Sequence, residues 1–419
     1  MEFKEYTLKK ILAEKGYIRG PFGSALKRGE MIDKGIPVYE QKNAINDSRT
    51  FRYFIDRKKF QELKRFQVKE NDLIISCSGT VGRVSIIKEN DPEGIISQAL
   101  LILRPNQEKV IPKYLYYYFQ SEKGKKELLS RSSGSVQVNI AKRAIIENIQ
   151  INLPPTYKQI TIVDVLSNID KKINENKKII ANLEELSQNL FKHWFVDFEF
   201  PDENGNPYKS SGGEMKESEL GEIPNVMSSG KLSDVAEIIM GQSPKSDTYN
   251  SEKIGMPLLN GASDFKHRNL NPNKYTSDPK KVGKTGDFVF GVRATVGLVT
   301  ELDKEYAIGR GSAIARVKQE YKEWIFEILN EAFSYFERSI VGSVYINISS
   351  KDLKNYKIIK PPKDLVEVYH QKMMSIFTLK TELKNQIISL TNLRDTLLPK
   401  LMSGEIEIPD EVGVDVDEL

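Results

Sequence analysis

After Pro155 the chain reads YKQITIVDVLSNIDKKINENKKIIANLEELSQNLFKHWFVDF, with apolar residues at Ile162, Val165, Leu166, Ile169, Ile173, Ile179, Ile180, Leu183, Leu186, Leu190 and Phe191. Spacings of three and four place them on one stripe of a long helix. After Pro362 the pattern returns at Val366, Tyr369, Met373, Ile376, Leu379, Leu383, Ile387, Leu390, Leu393 and Leu397. Neither stripe is broken by glycine or proline, and at ~1.5 Å per residue a helix of roughly 37 residues reaches about 55 Å. A single stripe on so long a rod predicts a partner helix.

Elsewhere the apolar runs are short. Ile36–Tyr39, Asp72–Ser76, Arg83–Ile87, Ala99–Leu103 and Val136–Ile140 read as strands between Gly, Asn and Ser turns, and Ile111 to Arg131 reads as an amphipathic helix. The pattern also repeats. SGTVGRVSII from Ser78 matches RATVGLVTEL from Arg293, ISQALLILRP from Ile96 matches IGRGSAIARV from Ile308, and GSVQVNIAKRAIIENIQINLPP from Gly134 matches GSVYINISSKDLKNYKIIKPP from Gly342. The offsets are 293 − 78 = 215, 308 − 96 = 212 and 342 − 134 = 208. Three collinear matches mean two copies of one domain, at a period too long for a solenoid. The joint PDENGNPYKSSGGEMKESELGEIPN from Pro201 has the composition of a linker. The expected fold is therefore mixed α/β (α+β): a first domain at 1–155, a central helix at 156–200, a linker at 201–230, a second domain at 231–362, a C-terminal helix at 363–404 and an acidic tail at 405–419.

Composition narrows the class. Of 419 residues 39% are hydrophobic and 29% charged, which suits a folded, soluble protein. No apolar run reaches membrane-spanning length, and MEFKEYTLKKIL lacks the apolar core of a signal peptide. A single cysteine, Cys77, excludes an intrachain disulfide and suits a cytoplasmic location. Net charge is only +4, but it is unevenly spread. Arg49, Arg52, Arg57, Lys58, Lys59, Lys64, Arg65 and Lys69 face only Asp56 and Glu62, whereas the tail EIEIPDEVGVDVDEL carries only acids. A second basic stretch, Lys266, Arg268, Lys274, Lys280, Lys281 and Lys284 against Asp278, stands at the corresponding place in the other repeat. The recurrence favours phosphate binding over a solvated face.

Catalytic chemistry finds little support. His193, His267 and His370 with Cys77 form no metal-ligand spacing, so no metal and no cofactor are expected on this chain. No phosphate-cradling glycine motif is present. INLPP at Ile151 fits the adenine-methyltransferase motif poorly, and with KPP at Lys360 it reads more simply as a helix breaker. The polar loops are more informative. Gly79 and Gly82 suit a hairpin turn, while Arg83 and its counterpart Arg293 fit either a surface position or a guanine or phosphate contact. SSGSVQVN and VGSVYIN offer polar donors for base edges and serve equally well as connecting loops.

RGPFGSALKRGEM, IPVYEQKNAI and ISCSGTVGRV in the first half, with LSDVAEIIMGQSP and GMPLLNGASDF in the second, resemble target-recognition domains of type I restriction-modification specificity subunits. LFKHWFVDFEFP followed by LGEIP resembles the end of that family's central spacer helix, and LRDTLLPKLMSGEIEI its C-terminal signature. One departure is that LGEIPNVMSSGKLSD lacks the Trp that often follows the Pro. The resemblance implies a non-catalytic DNA-reading subunit. Each repeat would read half of a split site, and the two helices would pair antiparallel as a ruler. Partners would be double-stranded DNA, two methyltransferase subunits and, through the complex, motor-nuclease subunits. S-adenosylmethionine, ATP and Mg would sit on those partners. The candidate DNA contacts are Gln41, Lys42, Ser78, Gly79, Thr80, Arg83, Gln98, Ser135, Gln137 and Asn139, and in the second half Asn260, Lys266, Arg268, Arg293, Thr295, Arg310, Ser343, Tyr345 and Asn347. Two other readings stand beside it: an enzyme of unfamiliar pattern, and a coiled-coil adaptor whose repeated domains bind protein.

Overall fold

In the computed structural model the described residues are 3–22, 25–130, 139–268, 270–339 and 346–409. They divide into two compact units, Met1–Glu175 with Gln386–Leu419, and Asn176–Asn385. The long helices thus contribute to both, and each unit is one repeat with part of each helix.

The first unit is built on a four-stranded antiparallel sheet in the order Leu12–Arg19, Leu100–Pro105, Leu73–Ser76, Val84–Ile86. Its central strands read as unbroken apolar runs because both faces are buried. Leu73, Ile75, Leu101 and Leu103 pack with Tyr114, Leu115 and Phe119, whereas Ile74 and Ile102 pack with Ile18, Tyr39 and Leu100. Beside it Ile36–Tyr39 runs parallel to Ile95–Ile96. The helix expected from Ile111 to Arg131 is two, Pro112–Gln120 and Glu122–Leu128. Ser121 breaks it: its side chain caps the second helix by accepting from Gly124 N at 3.2 Å. Of the strand expected at Val136–Ile140, only 139–140 lies within the described residues, paired with Leu129–Ser130.

The second unit repeats the first three strands of this plan, with a different fourth. Its sheet order is Ala236–Met240, Ser312–Val317, Phe288–Glu301, Ile346–Asn347, and Met256–Leu259 runs parallel to Tyr306–Ile308. A single helix, Lys322–Ser339, stands where the first unit has two. The likeness extends to buried charge. Arg104 holds Asp72 with two donors, both at 2.7 Å, and Arg316 holds Asp287 at 3.1 and 2.8 Å. Each aspartate also accepts from the backbone three residues earlier, Lys69 N at 2.7 Å and Lys284 N at 2.8 Å. Both pairs stand at the sequence offsets, 287 − 72 = 215 and 316 − 104 = 212.

The central helix is Thr156–Phe191, continued by a π-turn at Lys192–Val196, and the C-terminal helix is Lys363–Ser403. They pair antiparallel. In the first unit Asp170 meets Arg394 at 2.9 Å, and Ile162 and Leu166 share a core with Leu398 and Leu401. In the second Glu184 meets Lys380 at 3.3 Å, and Trp194 and Phe195 pack on Tyr369. The stripe read from sequence is wider than the seam it forms. Ile162, Leu166, Ile173 and Phe191 are buried along with Asn176 and Ser187, but Val165, Ile179 and Leu186 are exposed.

Pro154–Pro155 and Pro361–Pro362 each follow a paired strand, Gln150–Leu153 or Lys357–Lys360, and precede a long helix. The segment expected as a linker contains an antiparallel hairpin, Met215–Ser218 with Gly221–Pro224, and Ile223 and Met227 enter the second unit's core. Polar composition hid two apolar anchors there. No helix among the described residues is long and apolar enough to cross a membrane.

Candidate nucleic-acid interface

At one end of the first sheet three connections converge. The loop Ser76–Val84 is pinned at its base, where Ser76 Oγ donates to Thr80 O at 2.6 Å and accepts from Arg83 N at 2.9 Å. Gly79 (φ 59°) and Gly82 (φ 78°) supply its left-handed turns. Gln41 Nε2 donates to Ser78 O at 2.6 Å, tying the start of the Gln41–Ile45 helix to the loop. Cys77 N donates to Ala99 O at 2.9 Å and Ser97 N to Tyr39 O at 2.8 Å, which brings in the turn carrying Gln98. Ser78, Gly79, Thr80 and Gln98 are exposed, and Gln41 and Lys42 are half-buried.

The corresponding end of the second unit is held by the same two backbone bonds. Val292 N donates to Gly311 O at 3.0 Å and Gly309 N to Leu259 O at 2.9 Å, so Arg293, Arg310 and Asn260 converge. Arg293 pairs across the sheet with Asn347. Asn260, Arg293, Thr295, Arg310 and Asn347 are all exposed. Ala294 (φ 60°) and Gly297 (φ 73°) take the left-handed places of Gly79 and Gly82. That register corrects one pairing. Arg293 stands opposite Ser78, and Leu298 stands opposite Arg83, so the two arginines are not counterparts.

A feature missed from sequence underlies both ends. A Cβ on Gly20 would lie 2.0 Å from Ser97 O, and one on Gly241 would lie 2.1 Å from Gly309 O. Each lets the first strand of its sheet cross directly under the turn. The only signal was a glycine in each copy just after the first strand.

Other candidates lie apart from these clusters. Arg83 lines a cleft against the helix Glu122–Leu128. Arg268 is held by Glu184 at 3.2 Å and Asn330 at 3.4 Å over the Phe326 ring, which ties it to the central helix and the helix Lys322–Ser339. Lys266 is exposed two residues before it. Ser135, Gln137, Ser343 and Tyr345 lie outside the described residues, and Asn139 is described in backbone only, paired with Ser130.

The basic stretches are partly neutralised. Arg49 turns inward to Asp91 at 2.6 Å, Arg52 meets Glu40 at 2.9 Å, Arg57 meets Glu93 at 2.8 Å and Lys59 meets Glu30 at 2.9 Å. Lys58, Lys64 and Lys69 remain exposed without an acidic partner among the described residues. In the second stretch Lys280 is taken by Asp278 at 2.6 Å, while Lys281 and Lys284 are exposed. Burial pushes the Cys77 thiol up to about 11, leaving it protonated at neutral pH. His193 is exposed, and His370 Nδ1 lies 2.5 Å from a Glu323 carboxylate oxygen. No group of acids, histidines or cysteine among the described residues has the geometry to hold a metal.

Comparison with known proteins agrees with the repeat. The model of the type I restriction modification DNA specificity domain matches residues 9–185 and again 224–392. The chain is 28% identical over 400 residues to the MjaX specificity subunit described from Methanocaldococcus jannaschii, covering 90% of this chain and 92% of that one. It is 24% identical to that organism's type I restriction enzyme MjaIX specificity subunit, over 97% and 95% of the two chains. The crystal structure of a type I restriction-modification S subunit from M. genitalium has the same fold, with a TM-score of 0.56 at 15% identity over 96% of each chain. With two copies of the matching domain in tandem, the chain belongs to the family of type I restriction-modification DNA specificity subunits.

Proposed function

We propose that each unit presents its convergent loops to one half of a split, asymmetric DNA site, the first through Gln41, Ser78, Thr80 and Gln98, the second through Asn260, Arg293, Arg310 and Asn347. One observation carries this reading: the backbone bonds that draw the loops together are the same in both units, yet the exposed positions differ, Ser78 against Arg293 and Gln98 against Arg310. A shared frame with changed tips is what two different half-sites require, because base edges are read by side chains while the frame sets register. Lys42 and the unpaired lysines of the basic stretches would hold phosphates.

The paired helices would fix the gap between half-sites, a rod near ~55 Å being ample for two half-sites one turn, about 35 Å, apart. Their outer faces carry apolar side chains beyond the needs of the seam: Val165, Ile388 and Leu393 in the first unit, and Ile179, Leu186, Met374 and Leu379 in the second. These would dock two methyltransferase subunits, with motor-nuclease subunits joining through them. The chain itself would perform no chemistry and hold no cofactor. S-adenosylmethionine, ATP and Mg would belong to the partners, and the complex would work in the cytoplasm.

The test is modification mapping of DNA from cells expressing the chain with its neighbouring methyltransferase. A single methyladenine motif split by a fixed gap, and absent without the chain, is the expected result. Formation of the complex with no such motif would contradict the reading.

A further inference from the structure

The first unit contains a cleft of about 1270 Å³ between the short helices 112–128 and parts of both long helices, with Arg83 on its wall. Arg83, Lys123, Lys125, Lys126 and Arg394 all line it. The acids there are already engaged. Asp170 and Asp395 meet Arg394 at 2.9 and 2.8 Å, Glu127 accepts from the Tyr118 hydroxyl, and Glu122 meets Lys126 at 3.8 Å. Among the described residues no acid lies within ion-pair distance of Arg83, Lys123 or Lys125. Burial, with the like charges of Arg83 and Arg394 added, holds the Lys125 ammonium below its usual range. Five cations against four acids leave the cleft net positive, and Arg83, Lys123 and Lys125 stand outside its ion pairs, which suits an anion.

Among the described residues of the second unit the counterparts differ. Leu298 stands where the repeat would place Arg83, and the unbroken helix Lys322–Ser339 packs Phe333 within 3.3 Å of a Cβ on Gly297. The break at Ser121 and the lysines that follow it belong to the first copy alone.

We propose that this cleft binds a phosphodiester of the DNA strand passing the Ser78–Gly82 loop, giving the first half-site a backbone clamp that the second lacks. The inference rests on the function proposed above. Its ligand follows from continuity, since Arg83 ends the same loop whose tip carries Ser78 and Thr80, and its amide is fixed by Ser76 Oγ at 2.9 Å. A strand read by the tip brings its backbone to the lysines behind it.

The experiment measures binding of the full-length chain to a fluorescein-labelled duplex by anisotropy across a salt series, for wild type, Lys123→Ala/Lys125→Ala and the control Lys10→Ala. The double variant is expected to lose roughly 3- to 10-fold in affinity at about 0.1 M salt, equally on any sequence. Its log K against log salt slope should be shallower by about 0.9 for each phosphate contact removed. Thermal melting separates this from misfolding, since the unliganded double variant should melt with the wild type. A wild-type slope and affinity in the double variant overturn the proposal. So does a wild-type DNA slope accompanied by loss of the melting shift that inorganic phosphate gives the wild-type chain, which would make the site one for free phosphate. If the wild-type chain bound no DNA, the function proposed above would fall, and this inference with it.

Discussion

The two units share a frame and differ at its tips. Asp72 with Arg104 and Asp287 with Arg316 fasten the same strands, and the same backbone bonds draw the loops together. At the exposed end the residues part company: Ser78 becomes Arg293, Gln98 becomes Arg310, and Arg83 becomes Leu298. The difference teaches that buried, hydrogen-bonded charge carries the fold here, where any change is costly, while exposed positions are available for specificity.

The largest expected effect comes from breaking the frame. Asp72→Ala or Asp287→Ala leaves an arginine and a buried backbone N–H without their acceptor and should cost about 3 kcal/mol. Urea unfolding would show it, with backbone hydrogen exchange expected to locate the loss in the altered unit alone. Next comes the tip. Arg293→Ala should weaken recognition by about 10- to 100-fold at one half-site only, as befits an arginine on a base edge worth roughly 1–3 kcal/mol. Methylation rates on duplexes altered in either half would measure it, and equal loss at both halves would dissolve the division of labour.

A smaller effect tests the equivalence of the turns. Gly79 and Ala294 share a φ near 60°. Gly79→Ala should cost about 1 kcal/mol, and Ala294→Gly should return about 0.5 kcal/mol, both read from urea midpoints. The smallest concerns Glu327. Burial pushes its carboxyl above the usual carboxylate range, an effect opposed by the Ser187 hydroxyl at 3.0 Å and by Lys380 and Arg268. A folded-state pKa above the unfolded one penalises the ionised form. The destabilisation is complete above the folded pKa, fades as pH falls through it, and is gone below the unfolded one. Glu327→Gln should therefore be about 0.5 kcal/mol more stable than wild type near pH 7.5, with the gap closing toward about pH 4.

Much of the architecture was legible in the chain. The helices were readable because a seam of two long helices imposes one periodicity over many turns, and the repeat because both copies keep the residues that hold strands together. The break at Ser121 was not, since its cause is a cap and the packing of Gly124 against Tyr118 rather than a change of pattern. Nor was the hairpin at 215–224, whose anchors Ile223 and Met227 sit in a polar stretch. Of the candidate contacts, residues next to turns came together, because turn residues announce where strands end. Arg268 did not, because a cation in sequence looks the same whether it faces solvent or Glu184. The cleft lysines went unnoticed for a related reason: Lys123, Lys125 and Lys126 read as the solvated face of a helix until the fold sets them beside Arg83.

The central claim, one frame with two independent readers, is tested most directly by a chain in which residues 231–362 are replaced by the first repeat, coexpressed with the methyltransferase while the modified motif is mapped. The account expects the half-site read by the first unit to persist and the other to be replaced by a second copy of it. An unchanged motif, or one altered in both halves, would contradict it.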